Sequence, residues 1–82
     1  MIFVDLYVPS LDKTYNFRLN EKAAVHSAMA EMAAMIEQKE RTKLVGDIEE
    51  MVLCDKEKQA VLPPENTLAG CEVRTGSCLI LV

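Results

Sequence analysis

Residues 2–8 alternate strictly, with Ile2, Val4, Leu6 and Val8 on one side and Phe3, Asp5 and Tyr7 on the other. Period two predicts a half-buried strand. Pro9-Ser10-Leu11-Asp12-Lys13 carries turn chemistry, and Tyr15, Phe17 and Leu19 then alternate with Thr14, Asn16 and Arg18. The short link predicts an antiparallel hairpin. At Asn20 the pattern changes. Val25, Ala28, Met29, Met32, Met35 and Ile36 follow helical spacing among Ala, Glu, Gln and Lys. These are strong helix formers, so a long helix is expected from an Asn20 cap to about Arg41 or Lys43, with Gly46 as a late stop signal. The Met-rich stripe is read as core filling.

The second half predicts another hairpin over residues 49–62. Its arms are Met51-Val52-Leu53-Cys54 and Gln59-Ala60-Val61-Leu62, around the polar turn 55–58, and Pro63-Pro64 closes it. Asn66 or Thr67 can cap one helical turn that carries Leu68 and Cys71 inward. A turn at Arg74-Thr75-Gly76-Ser77 places Gly76 where positive φ is needed. Cys78-Leu79-Ile80-Leu81-Val82 is the last strand, apolar enough for the middle of a sheet. The order β-β-α-β-β-β buries its faces most simply when the helix crosses a mixed sheet whose first and last strands pair in parallel. The expected fold is therefore α+β, a ubiquitin-like β-grasp of four to five strands on one long helix, forming a single domain over residues 1–82.

Composition narrows the function. Half of the 82 residues are apolar. A chain of this length buries roughly 60% of its unfolded surface, enough for one core but not for a deep catalytic cavity as well. The net charge of −4 argues against nucleic acid. Lys39, Arg41 and Lys43 come close together, but at a helix end, where cations suit the macrodipole. No apolar run is long enough to span a membrane, and Asp5 interrupts any leader-like segment, so the expected location is the cytoplasm. Cys54, Cys71 and Cys78 have no metal-ligand spacing, and His26 is the single histidine. No metal or cofactor is expected, and the thiols are read as packed. Cys71 is read as the cysteine whose thiol a nearby cation, Arg74, could activate. Ser27 follows His26, but adjacent helical residues point apart, so no nucleophile–base pair is read here.

Two stretches suggest a family. Tyr15-Asn16-Phe17-Arg18-Leu19-Asn20, followed by Val25, Ala28 and Met29, resembles the Tyr/Phe-Asp-Leu/Phe-Arg-Leu-Ser/Asn stretch of the YukD/EsaB family. The run from Leu68 to Leu79 resembles that family's Leu-Ser-Asp-Cys-Gly segment and the Gly turn after it. The resemblance implies a small cytosolic ubiquitin-like protein, an accessory or regulatory component of a bacterial type VII secretion system and not an enzyme. Its implied partners are membrane subunits or the ATPase of that machinery. Glu72 departs from the pattern, since the family often has Gly there. Positive φ at that turn would strain a glutamate. The charged stretch 37–50 is also longer than the family's usual one and has no assigned role. Two other functions fit a domain of this kind. A conjugated modifier or sulfur carrier needs a free Gly-Gly tail, whereas this sequence ends within an apolar strand. A stand-alone regulatory adaptor is the third reading.

In the expected sheet Leu79 and Leu81 face the helix. Ile80 and Val82 then lie on the outer face beside Phe3 and Tyr7, and these four form the candidate interaction surface for a protein partner or a second copy.

Overall fold

The computed structural model describes residues 1–44 and 50–82. Gly46 and Glu49, the expected helix stop and hairpin start, lie outside the described residues, as does part of the charged stretch. The elements are β1 (Ile2–Val8), β2 (Lys13–Leu19), α1 (Val25–Glu40), β3 (Leu53–Asp55), β4 (Ala60–Val61) and β5 (Cys78–Leu81). They form one mixed sheet in the order β2-β1-β5-β3-β4. β1 and β5 pair in parallel, and every other neighbouring pair is antiparallel. This is the β-grasp arrangement that the hydrophobic pattern predicts.

The core lies between the inner sheet face and α1. Val4, Leu6, Val8, Phe17, Leu53, Leu79 and Leu81 are buried from the sheet side. Val25, Ala28, Met29, Met32, Ala33 and Ile36 meet them from the helix. Met35 is 51% exposed, although its spacing suggested the core, and Ala33 is buried in its stead. The reason is angular. Ala33 stands four residues after Met29 on the sheet-facing side, while Met35 rotates toward the flank of α1 that overlooks β2.

The helix also starts later than expected. Asn20 is not its cap: Asn20 Oδ1 accepts from the Lys22 N–H and Asn20 O from the Ala23 N–H, forming a separate turn. Ala24 is extended at the N-cap and makes no side-chain cap. Instead the Val25 and His26 N–H groups donate to the carbonyls of Asn66 and Pro64, at 2.8 and 3.1 Å. A distant loop therefore satisfies the first helical donors. At the other end Arg41 enters the left-handed region with φ 52°, and the Arg41 and Thr42 N–H groups both donate to Glu37 O. That closure ends α1 without a glycine.

The segment before β5 is a single capped turn. Thr67 is its cap, because Thr67 Oγ1 accepts from the Gly70 N–H at 2.9 Å, while Asn66 Oδ1 accepts from the Thr67 N–H. Leu68 and Val73 are buried and Cys71 is half-buried. Glu72 has φ 61° and Gly76 has φ 94°. The backbone thus keeps the conformation that favours glycine at Glu72 despite its side chain.

Candidate protein-interaction face

On the outer side of the sheet, register decides which residues meet. Tyr7 pairs with Ile80, Ile80 with Cys54 and Cys54 with Val61. Side chains directly opposite on adjacent strands stand roughly 5 Å apart. The result is one transverse row, Val61–Cys54–Ile80–Tyr7, across four strands. Val52 and Val82 extend it, joined by reciprocal backbone hydrogen bonds of 2.7 and 3.0 Å. Val61, Val82 and Val52 are 59, 50 and 39% exposed, whereas Ile80 and Tyr7 are half-buried.

The next row is polar. Asp5 lies beside Asn16 and Cys78, and the Lys56 N–H donates to Cys78 O. The Asn16 side-chain amide also donates to Asp5 Oδ1. Phe3 lies beyond this row. It is 57% exposed, opposite Arg18, and its carbonyl accepts from the Gly76 N–H. Phe3 and Tyr7 are four residue steps apart along β1, roughly 13 Å. The structure therefore groups Tyr7, Ile80 and Val82 and leaves Phe3 apart from them. Val52 and Val61 join the row, although sequence reasoning did not single them out. Their alternation is visible in the sequence, but the pairing that sets them beside Ile80 is not.

Two side chains fix the rims. Tyr7 Oη donates to Asp12 Oδ1 at 2.8 Å, and this bond is the main reason its phenol is held above the usual range. The ring is thereby tied to the β1–β2 turn. Asp55, almost fully buried, accepts from the Glu57 and Lys58 N–H groups and shapes the β3–β4 turn. Lys58 Nζ then reaches the carbonyls of Cys71 and Glu72 and the Glu72 carboxylate, linking that turn to the one before β5.

The sites considered for chemistry are structurally committed. His26 Nδ1 lies 2.9 Å from Pro64 O, so the ring braces the loop that caps α1. Burial raises the Cys71 thiol pKa, and the cation opposing that rise is Lys58 and not the sequence neighbour Arg74. Among the described residues no three His, Cys, Asp or Glu side chains group as metal ligands, and no helix is long and apolar enough to cross a membrane.

No family model matches the sequence, and no curated protein matches it significantly. Solved structures do match. The N-terminal ubiquitin-like domain of the protein 4931431F19Rik superposes with a TM-score of 0.76 at 17% identity, covering 99% of this chain and 72% of that one. Caldiarchaeum subterraneum ubiquitin gives a TM-score of 0.73 at 15% identity, covering 98% of this chain and 89% of the other. The fold is ubiquitin-like. A ubiquitin-like domain from Arabidopsis thaliana gives a TM-score of 0.74 at 17% identity over 99% of this chain and 74% of its own. At such identities the likeness carries the ubiquitin-like fold and none of the neighbours' partners.

Proposed function

We propose that this ubiquitin-like domain is a non-enzymatic protein-interaction module that docks a partner protein on the Val61–Cys54–Ile80–Tyr7 row and its Val52–Val82 extension. The observation that carries this reading is the continuity of apolar side chains across four hydrogen-bonded strands, with half-exposed valines at its margins. A sheet gives such a row a fixed shape, so little ordering cost accompanies docking. The finer assignment is a cytoplasmic accessory or regulatory component of a type VII secretion system. It rests on the resemblance to YukD/EsaB over residues 15–29 and 68–79. The partner is then a membrane subunit or ATPase of that machinery.

The test is capture from detergent-solubilised membranes of the source cell, using the full chain, Val61→Asp, Ile80→Asp and Phe3→Glu, each checked for folding by circular dichroism. Co-purification of the secretion ATPase or a membrane subunit, lost in the first two variants and kept in the third, is expected. Retention of every partner by a folded Val61→Asp and Ile80→Asp pair would overturn the docking face. Variant-sensitive capture of an unrelated protein would remove the secretion assignment and keep the module. Dimerisation of the free chain that both Asp variants abolish would replace the partner with a second copy.

A further inference from the structure

The outer sheet face carries two thiols that strand order brings together. Cys54 stands opposite Ile80, and Cys78 precedes Ile80 by two residues on the same face of β5. Cys54 and Cys78 are therefore diagonal neighbours on adjacent strands. Both are free and half-buried.

Distance selects what can join them. Diagonal neighbours on a sheet have Cα atoms roughly 7–8 Å apart, with the Cβ atoms somewhat closer. A disulfide needs Cα atoms about 4.4–6.8 Å apart and Cβ atoms about 3.5–4.5 Å apart, so it would have to bend the sheet. A metal ion between the sulfurs spans more. Two metal–thiolate bonds in line, at about 2.3 Å each, hold the sulfurs roughly 4.6 Å apart, and the two Cβ–S bonds lengthen the reach. Cys78 Sγ lies 4.0 Å from Gly76 O, a weak contact on the side away from Cys54. A turn about χ1 between staggered positions swings it toward Cys54, and strands accept both common rotamers.

The surroundings select the ion. Thiolates are soft ligands and favour soft cations. Among the described residues no third His, Cys, Asp or Glu completes the pair, so a closed tetrahedral zinc site does not form here. Copper(I) accepts two sulfurs in line and needs no further protein ligand. Its binding releases both thiol protons: Cu⁺ and two RSH give Cu(SR)₂⁻ and two H⁺. The bound unit thus carries one negative charge. Lys56 answers that charge. Its N–H donates to Cys78 O at 2.9 Å, which sets Lys56 opposite Cys78 and, by alternation, on the same face as Cys54. Its side chain lines both the hollow beside Cys54 and the one beside Cys78. Asp5 flanks Cys78 on the other side and holds the Asn16 amide. Its carboxylate is a hard oxygen donor, which suits a soft ion poorly.

We propose that Cys54 and Cys78 form a two-coordinate copper(I) site, a bis-thiolate with Lys56 as its counter-ion. The ligands come from two strands far apart in the chain, which is why no ligand spacing marks the site in the sequence. Cys71, on the turn before β5, takes no part in it.

The test is anaerobic titration of the reduced full chain with copper(I), supplied as its acetonitrile complex in competition with a colorimetric copper(I) chelator. Nuclear magnetic resonance accompanies it, because the diamagnetic ion leaves the spectrum sharp. One copper per chain is expected, with amide shifts centred on Cys54 and Cys78 and an X-ray absorption spectrum of two sulfur neighbours. Cys54→Ser and Cys78→Ser, each checked for folding by circular dichroism, should lose more affinity than the ~10–100-fold that removal of a supporting group costs. Lys56→Gln keeps both ligands and should fall within that range, and Cys71→Ser should bind as the native chain does. Unchanged affinity in either folded Cys54→Ser or Cys78→Ser would overturn the proposal, as would an equal loss in Cys71→Ser. So would nitrogen or oxygen in place of the second sulfur, and this spectrum of the native chain decides even where a serine variant does not fold. One copper per two chains would assign the ion to thiols of two molecules and overturn it too. Val61→Asp leaves both thiols in place, so loss of partner docking and loss of metal binding are read independently.

Discussion

Glu72 offers a sharp test of the local physics, because a charged residue occupies a backbone position suited to glycine. Its φ is 61°. A Cβ in the left-handed region costs roughly 1–2 kcal/mol, through its approach to the following carbonyl. Glutamate regains part of this through Lys58, whose Nζ lies 3.3 Å from Glu72 Oε2. The Glu72 side chain is 70% exposed, so that pair is screened and contributes about 0–1 kcal/mol. Lys58 also donates to the Cys71 and Glu72 carbonyls, and these bonds survive any change of the Glu72 side chain. Glu72→Ala removes the ion pair and keeps the Cβ. Glu72→Gly removes both but adds roughly 0.5–1 kcal/mol of unfolded-chain entropy. Glycine should therefore exceed alanine in stability by about 0.75 kcal/mol at the middle of these ranges, the strain released less that entropy. In a domain of this size the gap corresponds to roughly 3–6 °C in Tm. Urea unfolding of both variants, at unchanged slope, measures it directly. Alanine equal to or more stable than glycine would refute the strain argument.

Three further outcomes follow from the same contacts. Leu81 is 1% exposed and Val82 is 50% exposed, so Leu81→Ala should cost about 3–4 kcal/mol and Val82→Ala under about 1 kcal/mol. Urea midpoints read the contrast, and equal losses would contradict the assignment of β5's two faces. The Glu40 carboxyl is held below its usual range, chiefly by its hydrogen bond to Lys13, and the Lys13 ammonium above its own, chiefly by Glu40. The first effect stabilises above the unfolded carboxylate pKa and is lost as pH falls through the lowered one. The second is present below the unfolded lysine pKa and lost as pH rises through the raised one. Native protein should thus exceed Lys13→Met most clearly near neutral pH, with the gap closing as pH falls below the usual carboxylate range, and a pH-independent gap would rule the pairing out. Burial raises the Cys71 thiol pKa, so iodoacetamide should label it more slowly at pH 8 than it labels an unstructured peptide cysteine, as read by mass spectrometry. Equal or faster labelling would show that Lys58 outweighs burial.

Much of the fold was legible because its signals are local. The alternation in residues 2–8 and 14–19 marked β1 and β2 to within a residue, and helical spacing marked the body of α1. The turn pattern points to positive φ at Gly76, and the family pattern to the same at Glu72, and both residues adopt it. The ends of α1 were less legible. Its first donors are satisfied by Pro64 and Asn66, about forty residues away in sequence, and no local cap announces such a partner. Helical spacing allows both Met35 and Ala33 in the core, and only the angle at which α1 crosses the sheet chooses between them.

The amino-acid pattern by itself determined the element types, the single-core architecture and the division of β5 into an inward Leu79–Leu81 face and an outward Ile80–Val82 face. Periodicity settles these, because side-chain direction depends on neighbouring dihedral angles alone. Only the tertiary structure decided who stands beside whom. It set Val61 and Cys54 next to Ile80, moved Phe3 behind the polar row of Asp5 and Asn16, and placed Cys54 diagonally across from Cys78. Strand order and register join residues far apart in the chain, and a one-residue slip would reverse every facing side chain. A functional surface on a sheet is made of such pairings, so it exists only once the sheet does.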